Sequence, residues 1–215
     1  MTAPIASIRS PEAIAQAVKL LKAGQLVVIP TDTIYGIAVC PENKAAIARL
    51  YAVRDRDPEP ASPLLLASSD YLDVLARSNR AARRLATYFW PGLLTLVLRP
   101  SFDLVPELRA SPVALRVPNF PALQPLLKAV GGYLFTSGAI CHGAPPAISA
   151  DEAADLFSDT VGLILDGGRA PYGIPSTILD CTSDPPTMLR RGAVPAEKIW
   201  DVLSPKTSVP ARAAG

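Results

Sequence analysis

The stretch Gln25-Leu-Val-Val-Ile-Pro30 is a short, mainly apolar run that ends at the polar residues Thr31-Asp32-Thr33. A run of this length, closed by proline and turn-forming residues, is typical of a buried strand. Helices are predicted on both sides of it, over 11–23, where Ser10 is a suitable N-cap, and over 42–54. A buried strand between two helices indicates an α/β arrangement.

The rest of the chain continues this alternation of strands and helices. We predict strands at Leu64–Ala67, Leu94–Leu98, Val113–Val117, Tyr133–Ser137, Val161–Leu165, Thr177–Asp180 and Thr187–Arg190. We predict helices over 70–88, interrupted near Ser78, and over 119–129, 149–157 and 194–203. The pattern predicts one α/β domain with a mixed sheet and shows no internal repeat.

The composition is that of a folded protein with an unusual proline content. Of the 215 residues, 49% are hydrophobic and 19% are charged, so the chain is long enough to bury a core without disulfides or a structural metal. The 23 prolines and 13 glycines make up 36 of 215 residues, which is below the roughly 25–30% that marks low-complexity chains. The prolines are therefore expected in turns, helix starts and rigid loops of folded elements.

Several classes of protein are disfavoured by features that the sequence lacks. No run approaches the roughly 18 apolar residues of a membrane span, and Met1–Arg9 lacks the pattern of a signal peptide. The three cysteines, Cys40, Cys141 and Cys181, are odd in number and widely spaced, which favours reduced thiols in a cytoplasmic protein over disulfides or a zinc site. His142 is the single histidine, so chemistry that needs several imidazoles is excluded.

Four segments place hydroxyls, an aspartate or arginines where a predicted element meets a loop. They are Pro30–Gly36, Arg54–Arg56, Thr136–Gly138 and Gly173–Thr177, and Arg116 and Arg190-Arg191 lie near strand ends as well. Because ligands of open α/β sheets collect beyond strand ends, we expect these segments to converge on one pocket. Arginines and hydroxyls with few carboxylates suit an anionic substrate.

The same residues also have purely structural interpretations, which the sequence leaves open. Asp32 and Thr33 are compatible with a turn cap, and Arg54 and Arg56 with a solvated helix end. Arg116 is harder to explain in this way, because a charge within an apolar strand requires a partner or a ligand. Neither GxxxxGK[ST] nor GxGxxG occurs, so a nucleotide would be bound by another architecture. A net charge of +2 permits a nucleic-acid partner without requiring one.

Together with three further stretches, these segments form a series of seven short motifs along the chain. They are Pro30–Gly36 (P-T-[DE]-T-x-Y-G), Arg54–Arg56 with Pro63-Leu64 (K-x-R…P-L), Phe89–Thr95 (F-W-P-G-P-L-T), Val113–Pro118 (V-A-x-R-x-P), Thr136-Ser137 (the start of [TP]-S-A-N), Ser176–Asp180 (S-T-[IV]-x-D) and Leu189–Gly192 (L-R-x-G). The order and residue content of these motifs resemble those of the YrdC-like family of threonylcarbamoyl-AMP synthases. The resemblance covers residues 8–203, while 204–215 are predicted to form a flexible tail. The separate C-terminal domain of longer family members is expected to be absent.

The resemblance implies both a fold and a reaction. The expected fold is a twisted mixed sheet flanked by helices around a basic cavity. The expected reaction converts L-threonine, bicarbonate and ATP into threonylcarbamoyl-AMP and pyrophosphate, with Mg²⁺ accompanying the ATP. Downstream transfer proteins would then pass the threonylcarbamoyl group to an adenosine of tRNA, which is itself a possible binding partner, in the cytoplasm and without a membrane.

The resemblance also assigns roles to individual residues and shows where this chain departs from the family. Threonine contacts would fall on Thr33, Arg116 and Ser176; nucleotide contacts on Arg56, Ser137 and Arg190; catalytic cations on Arg54 and Arg56; and no residue is assigned as a metal ligand. The departures are Arg54 for a lysine, Ala139 for an asparagine and Ala67 for a histidine. They motivate an alternative, namely a paralogue without synthase activity that binds structured RNA or ribosomal particles. A further alternative keeps the adenylation chemistry and changes the acceptor.

Overall fold

The computed structural model describes residues 2–53, 63–101, 108 and 112–204. The strands within these ranges are β1 (Ile5–Ser7), β2 (Val27–Ile29), β3 (Gly36–Val39), β4 (Pro63–Leu66), β5 (Ala76–Arg77), β6 (Leu94–Pro100), β7 (Val113–Arg116), β8 (Tyr133–Gly138), β9 (Leu163–Asp166), β10 (Thr177–Asp180) and β11 (Thr187–Arg190). The α-helices are α1 (Pro11–Lys22), α2 (Lys44–Ala52), α3 (Tyr71–Leu75), α4 (Arg80–Phe89), α5 (Gln124–Ala129), α6 (Ala150–Phe157) and α7 (Ala196–Leu203). The predicted segment Arg54–Arg56 and residues 205–215 of the predicted tail lie outside the described residues.

The strands form one mixed sheet, which confirms the predicted fold class. Their order is β1-β9-β2-β3-β8-β4-β7-β6-β10-β11, with β5 paired to β6 beside this path. The pairs β1–β9, β2–β9, β4–β7 and β6–β10 are parallel, and the other neighbours are antiparallel. The centre of the sheet therefore juxtaposes strands that are far apart in sequence.

Both faces of the sheet are covered, which explains the continuous apolar character of the central strands. In β2, Val27 and Ile29 pack into one buried cluster with α1 and α5, while Val28 packs into the cluster on the other face. Alternate side chains of a strand point to opposite faces, so a strand buried on both sides has no polar face. Among the described residues, none of the helices combines the length and apolar character that a bilayer span requires.

The helix starts follow the capping residues in the sequence. The hydroxyl of Ser10 accepts a hydrogen bond from the backbone N–H of Ala13 at 3.1 Å, as expected for the N-cap of α1. The helical region predicted over 70–88 with an interruption near Ser78 is observed as α3 and α4. Strand β5 lies between them, and Asn79 caps α4 through a 2.8 Å bond from the N–H of Ala82. Strands β1 and β3 were not predicted, since each is too short to show a period of its own.

Candidate functional site

Strand ends from the centre of the sheet surround a cavity with an empty volume of about 480 Å³. The walls come from the loop after β2, the start of β4 and the ends of β7, β8 and β11, together with the segment that enters β10. Five of the residues singled out in the sequence line it: Thr33, Arg116, Ser137, Ser176 and Arg190. The order of the strands in the sheet thus brings together side chains that are up to 157 residues apart in the sequence. Within the described residues, the lining contains two arginines and no carboxylate.

Arg116 is held in place at the end of β7 by three protein groups. Its Nε donates to the carbonyl of Gly92 at 2.8 Å, and its Nη1 donates to Oγ1 of Thr33 at 2.8 Å. Its Nη2 forms an ion pair with Oδ1 of Asp32. The Arg116 side chain is 4% exposed, and burial lowers the pKa of Arg116, an effect that the Asp32 charge opposes. These contacts therefore fix the orientation of the Arg116 guanidinium before any ligand binds.

Asp32 is the partner that Arg116 requires, and it is not a turn cap. The Asp32 side chain is 1% exposed, and its second carboxylate oxygen accepts a hydrogen bond from the backbone N–H of Asn119 at 3.0 Å. The bonds of the turn are made by Thr31 instead, whose hydroxyl accepts from the N–H of Thr33 at 3.1 Å. A buried charge is tolerated when it is paired and hydrogen-bonded, and both conditions hold here.

Ser176, Arg190 and Thr95 form a second polar group on the other side of the cavity. Arg190 donates to the backbone carbonyl of Ser176 through Nε at 3.2 Å and Nη2 at 2.9 Å, and Nη2 also lies 3.2 Å from the Ser176 hydroxyl. Behind them, Oγ1 of the fully buried Thr95 lies 2.8 Å from Oγ of Ser176. Arg190 also contributes to the lowered pKa of Arg116, because the two cations face the same space.

Part of the cavity wall is apolar. A Cβ placed on Gly138 would lie 2.9 Å from Cδ1 of Ile34 and 3.3 Å from Cδ1 of Ile140, so these two side chains close over the glycine. Both isoleucines line the cavity, as does Leu65 of β4. The site thus combines an apolar wall with directed hydroxyl and guanidinium groups, which is the usual character of a small-molecule site.

Other residues named in the sequence lie away from this cavity or outside the described residues. Ala139 is fully buried in the core, and Ala67 packs in the cluster that includes α1 and α5, so neither lines the cavity. Arg191 and His142 are exposed. Arg54 and Arg56 belong to the undescribed segment, and their assignment stays a prediction.

Sequence reasoning missed the buried residues that support the ligand-facing ones. The sequence placed Thr31 only in the polar loop after the predicted strand, suggested a turn cap for Asp32, and gave Thr95 no role beyond its place in a motif. The signal for Thr95 was a hydroxyl inside the otherwise apolar stretch Leu94–Leu98 of β6, where a polar group needs a partner just as Arg116 does.

The fold and the cavity define an α/β protein with a site suited to a small anionic ligand. The family model described as telomere recombination (Sua5_yciO_yrdC) matches residues 19–192, and the chain belongs to this family. A putative threonylcarbamoyl-AMP synthase of Mycobacterium tuberculosis is 37% identical over 193 residues, which cover 88% of each chain. The threonylcarbamoyl-AMP synthase of Bacillus subtilis is 32% identical over 89% of this chain and 57% of its own. The resemblance drawn from the motifs is confirmed.

Solved structures agree with this assignment. P. abyssi Sua5 complexed with L-threonine superposes with a TM-score of 0.83 at 31% identity, over 94% of this chain and 61% of that one. E. coli YciO superposes with a TM-score of 0.80 at 26% identity, over 88% of this chain and 94% of that one. The chain therefore spans about three fifths of the length of Sua5 and nearly all of YciO.

Proposed function

We propose that this chain synthesises threonylcarbamoyl-AMP from L-threonine, bicarbonate and ATP, with release of pyrophosphate. The observation that carries the proposal is the convergence of Thr33, Arg116 and Ser176 on one cavity, in a fold shared with a protein crystallised with L-threonine. The synthase names of relatives at 32–37% identity support the same activity.

The amino acid occupies the side of the cavity formed by Thr33, Arg116 and Ser176. Its carboxylate needs directed N–H and O–H donors, and the buried guanidinium supplies them in a fixed orientation. Because Asp32 already balances the charge of Arg116, Arg190 contributes the additional positive charge that an anionic substrate requires. The apolar wall formed by Ile34 and Ile140 excludes water from the reacting groups.

The nucleotide lies towards Ser137 and Arg190, and Arg54 and Arg56 act on its phosphates. The amine of threonine and bicarbonate combine to a carbamate with loss of water, and a carbamate oxygen then displaces pyrophosphate from the α-phosphorus. Such a displacement needs in-line positioning and neutralisation of the phosphate charge, which arginines and hydroxyls provide. No nucleophilic side chain is required, which is consistent with a chain that has a single histidine.

The described residues do not fit a resident magnesium site. None of them form a group of three or more histidine, cysteine or acidic side chains, and Asp32 beside the cavity is already committed to Arg116. Mg²⁺ prefers oxygen ligands and commonly binds through substrate phosphates. We therefore propose that the ion enters with ATP.

The product is a reactive mixed anhydride, so a transfer protein must consume it. We propose that downstream proteins pass its threonylcarbamoyl group to tRNA. Cys40, Cys141 and Cys181 form no disulfide, which supports a cytoplasmic setting for these steps.

The decisive assay follows pyrophosphate release from ATP. The purified chain is incubated with ATP, Mg²⁺ and labelled bicarbonate, with and without L-threonine. We expect release that depends on threonine and label in threonylcarbamoyl-AMP. Absence of threonine-dependent release from a folded protein would contradict the proposal, and salt-sensitive retention of tRNA in its place would favour the RNA-binding paralogue.

Two neighbouring arginines, at the end of β11 and directly after it, offer a matched pair of variants. Arg190→Ala should raise the KM for ATP, because Arg190 lines the cavity. Arg191→Ala removes the same charge from an exposed position and should leave the kinetics unchanged. Equal effects of the two variants would show that general charge, and not the cavity, determines nucleotide binding.

A further inference from the structure

Thr33 and Ser176, the two hydroxyls assigned to threonine, differ in what they can still offer a ligand. The hydroxyl of Thr31 lies 2.6 Å from the carbonyl oxygen of Ile34, which can only accept, so the single proton of Thr31 goes there. Oγ1 of Thr33, 2.9 Å from Oγ1 of Thr31, must then be the donor of that pair. Thr33 also accepts from Nη1 of Arg116. One lone pair remains, so Thr33 meets a ligand as an acceptor.

Ser176 has the opposite character because of Thr95. Thr95 is 0% exposed, and the described part of the chain gives its hydroxyl a single hydrogen-bond partner, Oγ of Ser176 at 2.8 Å. If Thr95 accepted in this pair, its own proton would be buried without an acceptor, which native structures avoid. Thr95 therefore donates. Nη2 of Arg190 donates to the same oxygen at 3.2 Å, so both lone pairs of Ser176 are used and its proton is left for the cavity.

We infer that Thr95 is a positioning residue for the amino-acid substrate. It commits the Ser176 hydroxyl to donate to an oxygen of the substrate carboxylate, while Thr33 accepts an N–H of the same molecule. Thr95 does not line the cavity and acts only through Ser176. The inference rests on the proposed function, since it takes an amino acid as the ligand. Because Ser176 donates and Thr33 accepts, the carboxylate of a zwitterionic amino acid is directed to Ser176 and its ammonium group to Thr33.

The test is the binding of L-threonine, measured by titration calorimetry with and without α,β-methylene-ATP, so that no turnover is needed. Thr95→Val keeps the shape of the side chain and removes the donor; we expect affinity to fall about fivefold, the effect of one hydrogen bond. Thr95→Ser restores the donor and should bind within about twofold of the wild type. In the Ser176→Ala background, Thr95→Val should change nothing further, because its effect passes through Ser176.

A purely structural role for Thr95 predicts different results. It predicts additive losses in the double variant, or a lower midpoint of unfolding with unchanged threonine affinity, and either result would overturn the inference. Thr177→Val is the matched control: Thr177 is also 0% exposed and lies next to Ser176, but its hydroxyl bonds the backbone of Val194. It should lower stability and leave threonine affinity unchanged. If Thr95→Val does not fold, Thr95→Cys, with a much weaker donor, replaces it in the same cycle.

Turnover separates this inference from the proposed function. In active protein, Thr95→Val should raise the KM for threonine about fivefold with little change in kcat, as expected for an interaction present in both ground and transition states. Threonine binding without pyrophosphate release would contradict the proposed function, while the calorimetric cycle would still decide the role of Thr95. A wild-type protein that does not bind threonine under either condition would overturn the inference.

Discussion

Removal of the Asp32 carboxylate tests the buried ion pair on which the site is built. Asp32 and Arg116 are 1% and 4% exposed, so water cannot replace a missing partner. Breaking such a pair from one side leaves an uncompensated buried charge, which typically destabilises a protein by about 3–5 kcal/mol. Total stabilities are about 5–15 kcal/mol, so Asp32→Ala should lose a large part of the free energy of unfolding. Asp32→Asn should lose less, because its amide oxygen still accepts from Arg116.

The double variant Asp32→Ala/Arg116→Met supplies the refuting measurement. Methionine fills much of the space of the arginine stem and carries no charge, so the double variant should recover at least about 1 kcal/mol relative to the sum of the single changes. Urea denaturation followed by circular dichroism gives each free energy of unfolding. Additive losses, or an Asp32→Ala variant within about 0.5 kcal/mol of the wild type, would show that the two charges do not depend on each other.

Three further predictions concern other parts of the molecule. Gly192→Ala should lower threonine-dependent pyrophosphate release by about tenfold or more. A Cβ at this position clashes with the backbone carbonyls of Pro175 and Ser176 and would displace the Ser176 hydroxyl. Normal activity of the variant would contradict this packing. Cys181 should resist iodoacetamide at pH 8 until the protein unfolds, since burial raises the pKa of its thiol to about 12; peptide mass spectrometry of native labelling checks it. Burial raises the pKa of Tyr35 from 10.0 to about 12, so the stability that the protonated phenol contributes is complete below pH 10 and lost as the pH rises through 12. Between pH 10 and 12, the free energy of unfolding should therefore fall less for Tyr35→Phe than for the wild type. Equal slopes of the free energy of unfolding against pH in the two proteins would refute the assignment.

Much of the fold follows from local sequence signals. The helix that begins after Ser10, the buried strand β2 and the strand pair β10 and β11 were predicted close to their observed bounds. These elements carry caps, turns and apolar periods within a few residues of each other, so the information that defines them is local. Short elements without such signals, such as β1 and β3, were missed for the same reason.

The sequence alone determined the family, the α/β class and several of the residues that line the cavity, among them Thr33, Arg116 and Ser176, because the ordered motifs contain them. The tertiary structure alone decided which buried groups hold them. Asp32 and Arg116 are 84 residues apart, and Thr95 and Ser176 are 81 apart. A polar side chain shows no preferred partner in an extended chain, since water satisfies each one equally. Partners are selected only when the sheet brings particular strands together and excludes water, so that every remaining donor must find an acceptor within reach.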